Sequence, residues 1–485
     1  AYDLEEYSTT RGLIADLSTL PAPVCLDVEA VIAAVQTQTR SDADPRFPAA
    51  RDLYFPDDDG QATARAIAQV FTPPARSTPT AVAARPRILI FGGAWKNNGI
   101  TSSIINLLDV LGRYDVDIYV ATNGVVIDLT EEYANNIRRV HPNIHIIHRT
   151  GSMNMTPEER LVLDDFYHEN VFRDDAQEAQ IKDFFRREAR RMFGDLTFDA
   201  AIDFSGYSRF WAMLIAATPA KRHVIYQHND MLSEAVVRFG ILHGVFAAYK
   251  YFDAVASVSP ATCALNSANL AQYYKTPASA VSVRNMIDPA GIVALSQADL
   301  PDDLAFPKGP IRFVSVGRLS GEKAQDRMII ALAALRAEGH NTELILIGDG
   351  PIRDDLVATA RAHKVSDQVI FTGHRPNPFA IMAHSDCFVL SSDYEGQPMV
   401  LLEALCLGMP IIATDIAGVR SVLDQETGQL VETSVAGITS GMRTYLTRRQ
   451  ITQSFDGHAY CETVMQEFIE RVIERPLELR TSAKD

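Results

Sequence analysis

The sequence predicts an α/β protein of two Rossmann-like lobes whose parallel sheets face a cleft, preceded by a short, mainly helical segment. Two observations carry this. From residue 85 onward, short apolar β-runs alternate with helical patterns, and the alternation comes as two consecutive series separated by ADLPDDLAFPKGP (298–310). Strands that are apolar throughout belong to parallel sheets covered by helices on both faces. The first series is RPRILIFGG (85–93), VDIYVAT (116–122), IHIIHR (144–149), FDAAIDFS (198–205), KRHVIYQH (221–228) and DAVASVS (253–259). The second is IRFVSVG (311–317), TELILIG (342–348), QVIFTG (368–373), CFVLSS (387–392) and PIIATD (410–415). The chain therefore divides into a front segment with linker (1–80), a first lobe (81–300), a second lobe (301–440) and a C-terminal helical segment packing back on the lobes (441–485).

The front segment shows no strand–helix alternation. Its prolines and small polar residues in TPPARSTPT (72–80) cannot pack a core and read as a linker. Asp57–Asp59 stand in an acidic turn with no buried strand before it, so they read as solvated and not as metal ligands. The formal charge of -16 argues against nucleic acid as a partner and leaves room only for a local basic patch at an anionic surface. No apolar run reaches the roughly 18 residues that span a bilayer, and the first residues lack a signal-peptide pattern. Cys25, Cys263, Cys387, Cys406 and Cys461 are odd in number and far apart, which suits neither a disulfide framework nor a zinc site. The expectation is a cytoplasmic protein with reduced thiols. Peripheral contact with the inner membrane face and homo-oligomerisation stay open.

In such sheets ligands sit at the carboxyl ends of the strands. Arg318 follows one strand and Lys323 comes five residues later; GDGPIR (348–353) follows the next, and His374 the third. DYEGQPMVLLEALCLGMP (393–410) follows the fourth. There Pro398 suits the first turn of a helix, Gly408 its C-cap, and Pro410 its end. The backbone N–H groups of Gly396 to Met399 would point out of that helix N-terminus, a ready anion site. With Arg318 and Lys323 they make a pyrophosphate cradle that needs no metal. Glu403, one turn inside, can accept hydrogen bonds from a ribose diol, and Glu395 would sit nearer a reacting sugar. Taken singly, each feature is ordinary: a strand–helix turn, a solvated Arg–Lys pair, an exposed helix edge. Together they fall at strand ends, in one order.

In the first lobe, FGGAWKNNGITSS (91–103) surrounds a strand-to-helix loop with Gly92, Gly93 and Gly99. No G-x-G-x-x-G is present, which counts against a nicotinamide enzyme. Asn98 and Gly99 in this loop are acceptor-site candidates, as are Asp203, Ser205 and Tyr207 in IDFSGYS, which ends a strand. His228 in YQHND also ends a strand, although a lone histidine is more often structural than catalytic. In IKDFFRREARRMF (181–193), Ile181, Phe184, Phe185, Ala189 and Met192 share one helical face. Arg186, Arg187, Arg190 and Arg191 occupy the other. They are either solvated or a grip for a polyanionic acceptor, with an anionic membrane as second choice.

Residues 311–433, with GR-x4-K at Arg318 and Lys323 and E-x7-E at Glu395 and Glu403, resemble the donor lobe of the GT-B retaining glycosyltransferase family 4. The likeness extends over about 85–440. It implies that Arg318 and Lys323 hold a donor diphosphate, that Glu403 holds the ribose, and that Glu395, Gly396, Gln397, Pro398 and Met399 lie over sugar and phosphate. The base would rest against Gly373, His374 and Arg375. The resemblance further puts Gly93 near donor phosphate, His228 beside the donor sugar and Asn285 at the interlobe hinge. The implied activity is a metal-independent, retaining hexosyl- or N-acetylhexosaminyltransferase, with a nucleotide sugar, UDP-linked by expectation, as co-substrate and no cofactor.

Residues 1–74 carry a second resemblance, YDLEEYSTTRGLIADL through FPDDDGQATARAIAQVF, to the C-terminal end of the CDP-glycerol glycerophosphotransferase family. This implies the sugar-adding part of a bifunctional polymerase acting on a phosphopolyol-containing capsule or teichoic-acid-type acceptor. The alternatives are a UDP-sugar 2-epimerase-like enzyme and a non-catalytic nucleotide-sugar- or polymer-binding module.

Overall fold

The computed structural model describes residues 28–37, 85–124, 131–424, 426–449 and 455–480. The chain divides into two compact units, Ala1–Ala84 and Arg85–Asp485. In the first, the described residues form one helix, Val28–Thr37. Asp57–Asp59, Cys25 and the linker at 72–80 lie outside the described residues.

The second unit holds two parallel sheets. The first contains β1 (Arg87–Phe91), β2 (Asp117–Asn123), β3 (His145–Arg149), β4 (Phe198–Asp203), β5 (Ala220–Gln227), β6 (Ala254–Ser257) and β7 (Ala280–Ser282), ordered β3-β2-β1-β4-β5-β6-β7. The second contains β8 (Ile311–Val316), β9 (Thr342–Ile347), β10 (Val369–Gly373), β11 (Cys387–Leu390), β12 (Ile411–Thr414) and β13 (Gln429–Val431), ordered β10-β9-β8-β11-β12-β13. Side chains alternate across each strand. Ile88 and Ile90 of β1 enter one buried cluster while Leu89 and Phe91 enter another on the opposite face. Both faces are therefore apolar, which is why the strands read as unbroken hydrophobic runs. In each sheet the strand order reverses beside the first strand, between β1 and β4 and between β8 and β11. The loops after those four strands open at the topological switch points, where doubly wound sheets bind ligands.

The expected boundary at 440/441 falls inside the helix Val435–Arg448, whose Ile438, Met442 and Tyr445 pack into the second-lobe core. That helix belongs to the second lobe because its apolar face is spent there. The helix Gly457–Phe468, extended as a π-turn over Ile469–Ile473, returns to the first lobe. Its Val464, Met465, Phe468, Val472 and Ile473 join the same core as Ile88 and Ile90. The C-terminal stretch thus ties one lobe to the other.

Candidate functional site

The site lies where the switch-point loops of the two lobes meet. On the second lobe, Lys323 ends a short 3-10 turn after β8, and its Nζ lies 2.6 Å from Glu395 Oε1. Ser392 Oγ donates to the same carboxylate oxygen at 2.8 Å. Of the two cations that the sequence sets after β8, Lys323 is thus ion-paired. Arg318 is exposed, and its guanidinium has no ion-pair partner among the described residues. Its backbone carbonyl accepts from Gln325 Nε2 at 2.8 Å, which fixes the loop.

The helix behind this pair runs Met399–Cys406, with Pro398 as its N-cap instead of in its first turn. Pro398 has ψ 103, extended and not helical, so the helix begins one residue later than expected. Gly408 takes φ +63, the left-handed end that stops the helix ahead of Pro410. The N–H groups of Gly396, Gln397 and Met399 have no described acceptor. Glu403, one turn inside, has no described hydrogen bond or ion pair on its carboxylate, and burial pushes it up to about 7.

The first lobe closes the other side. Gly396 approaches His228 so closely that a Cβ there would lie 1.9 Å from the His228 carbonyl oxygen. Gly99 faces Met399 in the same way, with 3.3 Å between its would-be Cβ and Met399 Cγ. His228 Nε2 lies 2.6 Å from the Phe204 carbonyl. A carbonyl only accepts, so Nε2 carries the proton and Nδ1 keeps its lone pair. Burial, opposed by that hydrogen bond, lowers His228 to about 4, so the ring is neutral at physiological pH. Asp203 is fully buried; its Oδ1 accepts from Gly206 N at 2.9 Å and its Oδ2 has no partner among the described residues. Burial raises Asp203 to about 7. Ser205 stands against Gly93, 3.3 Å from where a Cβ would be, and Tyr207 packs edge-on to Phe239.

Other expected residues have structural employment. Asn98 caps the helix Gly99–Leu111, its side chain accepting from Thr101 N at 2.9 Å. Arg375 is held by Asp303 at 2.5 Å and by the Thr372 carbonyl at 3.0 Å. His374 beside it is exposed, and Gly373 takes φ +69 to make the turn. Asn285 N donates to Gln397 Oε1 at 2.8 Å, joining the interlobe segment to the loop before Met399.

The four arginines of the helix Asp175–Phe193 do not form an unpaired face. Arg186 and Arg187 bind Asp183 at 3.0 and 2.9 Å, and Arg187 also binds Glu159 at 2.9 Å. Arg191 binds Glu188 at 2.7 Å, and Arg190 lies 3.9 Å from Asp195. Helical periodicity put the arginines on one face, but it could not show carboxylates from the same helix and its neighbour reaching that face. The apolar half is as expected: Ile181, Phe184, Phe185 and Ala189 are buried.

Two charged residues at the site were not singled out from the sequence. Arg238 of the first lobe reaches Glu322, inside the GR-x4-K loop, at 3.5 Å, and buried Glu234 at 3.3 Å. Glu234 in turn accepts from Asn229 Nδ2 at 3.0 Å, next to His228. Glu322 could have been noticed between Arg318 and Lys323; Arg238 carries no local signal.

Known proteins share parts of this sequence and this two-lobe arrangement. Residues 296–457 match glycosyl transferases group 1. Residues 1–72, ahead of the two lobes, match the CDP-Glycerol:Poly(glycerophosphate) glycerophosphotransferase family. The group 1 region holds Arg318, Lys323, Glu395 and Glu403. An uncharacterized glycosyltransferase of Methanocaldococcus jannaschii is 30% identical over 185 residues, 38% of this chain and 46% of that protein. The chain thus spans less than half the length of that curated relative. Anabaena HepE, solved with UDP and glucose, superposes with TM-score 0.54 at 17% identity, over 79% of this chain and 96% of that one. Staphylococcus aureus TarM, solved with fondaparinux, alpha-GlcNAc-glycerol and UDP, gives TM-score 0.53 at 11% identity, over 80% and 97%. At these identities the likeness is one of fold, and the fold is GT-B. Among the described residues, no three His, Cys, Asp or Glu side chains converge as metal ligands, and no helix is long and apolar enough to cross a membrane.

Proposed function

We propose that this chain is a retaining glycosyltransferase that uses a nucleotide sugar, UDP-linked, and a phosphopolyol-containing acceptor of the capsule or teichoic-acid type. One observation carries the reading. Arg318, exposed, and Lys323 stand in the loop after β8, the Gly396 and Gln397 N–H groups without a described acceptor in the loop after β11, and Glu403, whose carboxylate has no described partner, one turn inside the helix that follows. That is a cradle for a diphosphate next to a ribose diol. Matches to group 1 glycosyl transferases and to the glycerophosphotransferase family support the donor and acceptor classes respectively.

In this reading the acceptor hydroxyl attacks the sugar C1 on the face that the diphosphate leaves. The C1–O bond to phosphate breaks, the C1–O bond to the acceptor forms, and the hydroxyl proton passes to the departing phosphate oxygen. Arg318, Lys323 and the helix N-terminus take up the charge that develops on that oxygen. Neutral His228 offers Nδ1 as an acceptor for a sugar hydroxyl and cannot serve as a general acid at neutral pH. The cationic pair already supplies the charge that a metal would bring, so turnover should persist in EDTA.

The test is a screen of nucleotide sugars by release of the nucleoside diphosphate, with and without phosphopolyol acceptors. Acceptor-dependent release with retained anomeric configuration is expected. Release of free sugar without an acceptor would favour an epimerase-type enzyme, and binding without any turnover a docking module. Loss of activity in EDTA with rescue by Mg²⁺ or Mn²⁺ would contradict metal independence.

A further inference from the structure

Ser259 and Thr262 begin the helix Pro260–Leu270 of the first lobe, just after β6. Ser259 is its N-cap and accepts from Thr262 N at 3.1 Å. Both hydroxyls also reach the second lobe and meet one atom, the carbonyl oxygen of Gly396, at 3.2 Å from Ser259 Oγ and 3.0 Å from Thr262 Oγ1. The two hydroxyls lie 2.8 Å from each other. Each carries a single proton. If Ser259 donates to Thr262, Thr262 must donate to Gly396, and the reverse holds equally. In every arrangement at least one proton rests on that carbonyl. The contact is dry: Ser259 is 0% and Thr262 3% exposed.

The consequence lies on the other side of the peptide. Among the described residues every peptide bond is trans, so the Gly396 carbonyl and the Gln397 N–H point in opposite directions. Holding the carbonyl against the first-lobe helix turns the Gln397 N–H away from it. Gln397 is buried, and its N–H has no described acceptor. Buried backbone donors without partners are rare and costly, which points to an acceptor supplied by a ligand. Glycine tolerates either orientation of the following peptide. Without the two hydroxyls the Gly396–Gln397 peptide could turn over and present a carbonyl oxygen, instead of an N–H, to an anion.

We propose that Ser259 and Thr262 are positioning residues for the donor: by pinning the Gly396 carbonyl they aim the Gln397 N–H at an anionic oxygen of its diphosphate. This rests on the nucleotide-sugar reading above. The test compares two double variants of the full chain, Ser259→Ala with Thr262→Val, and Ser259→Ala with Thr262→Ser. Both lose the Ser259 helix cap equally, and only the second keeps a proton for Gly396. UDP affinity is read by calorimetry, and donor KM and kcat by UDP release. The alanine–valine pair should weaken UDP binding and raise donor KM about tenfold, as loss of one charge-assisted hydrogen bond does, with kcat within about twofold. The alanine–serine pair should return close to wild type. Equal loss in both variants would mark the contact as a structural joint and overturn the proposal, as would unchanged UDP affinity in the valine variant. If the wild type itself binds no nucleoside diphosphate, the donor reading fails and takes this proposal with it; binding by wild type and valine variant alike sinks the proposal alone.

Discussion

Lys323 Nζ lies 2.6 Å from Glu395 Oε1, so a diphosphate that reaches Lys323 competes with a carboxylate already bound to it. Lys323→Ala should leave the fold intact and cost at least tenfold in rate, about 1.4 kcal/mol. Glu395→Ala should do something different: it releases Lys323, and UDP affinity should rise by up to about fivefold while kcat falls. In a Lys323→Ala background that gain in affinity should vanish, a double-mutant cycle readable by calorimetry. Additive effects would mean the two side chains do not share the phosphate site. Glu403 gives a pH signature. Its carboxyl sits at about 7 against an ordinary value of 4.5 because it is buried. The sign follows from the raised value. The free protein gains stability from this group below its unfolded pKa and loses it as pH rises through about 7. A ribose diol donates to the ionised form, so nucleotide binding should release a proton and weaken as pH falls below about 7. Calorimetry at pH 7 in buffers of different ionisation enthalpy measures that proton. Glu403→Gln should abolish it, and an undiminished proton release in that variant would place the linkage elsewhere.

At the scale of elements, strands and helices were legible where burial is two-sided and long. β1, β8 and β9 run as read because both faces of each sheet are covered. β7 and β13 are three-residue edge strands, Ala280–Ser282 and Gln429–Val431, too short to show a period. The loop before Met399 was readable in advance as a helix start, because Pro398, Gly408 and Pro410 punctuate the helix that follows it. Arg238, Ser259 and Thr262 were not, because their partners lie 84 to 137 residues away in the other lobe. The ion pairs of the arginine helix were hidden for a related reason, since spacing places side chains on a face without saying what meets them. Its ion pairs change the expected result of substitution. Exposed pairs are worth about 0–1 kcal/mol each. Replacing Arg186, Arg187, Arg190 and Arg191 together by Gln should therefore lower thermal stability, with Arg187 and Arg191 dominating. Use of long and short acceptors should change in equal measure. A selective, salt-dependent loss of long acceptors would favour the polyanion grip as the reading of that face.

At the scale of the whole molecule, two kinds of contact join the lobes around the candidate site. One is dry and close: Gly396 against His228, its carbonyl under Ser259 and Thr262, and Asn285 on Gln397. The other is a polar bridge from Arg238 to Glu322, whose carboxylate also accepts from Ser320 Oγ at 2.7 Å. Glu322 lies between Arg318 and Lys323, so the bridge ties their loop to the lobe that carries His228. Its two ends differ in what their loss exposes. Arg238→Gln leaves Glu234, 2% exposed, without its cation, and Asn229 as its remaining side-chain partner. That variant should lose stability as well as activity. Glu322→Gln breaks only the interlobe link, since Arg238 keeps Glu234. It should preserve the melting temperature and lower kcat/KM by about twofold to fivefold, the worth of a partly exposed ion pair. High salt should shrink the difference from wild type, because salt weakens the bridge in the native protein too. A charge-exchanged pair, Arg238→Glu with Glu322→Arg, is a poor rescue, since the carboxylate introduced at position 238 would face Glu234. An unchanged kcat/KM in Glu322→Gln at low salt would show that the dry contacts alone hold the Arg318–Lys323 loop in place.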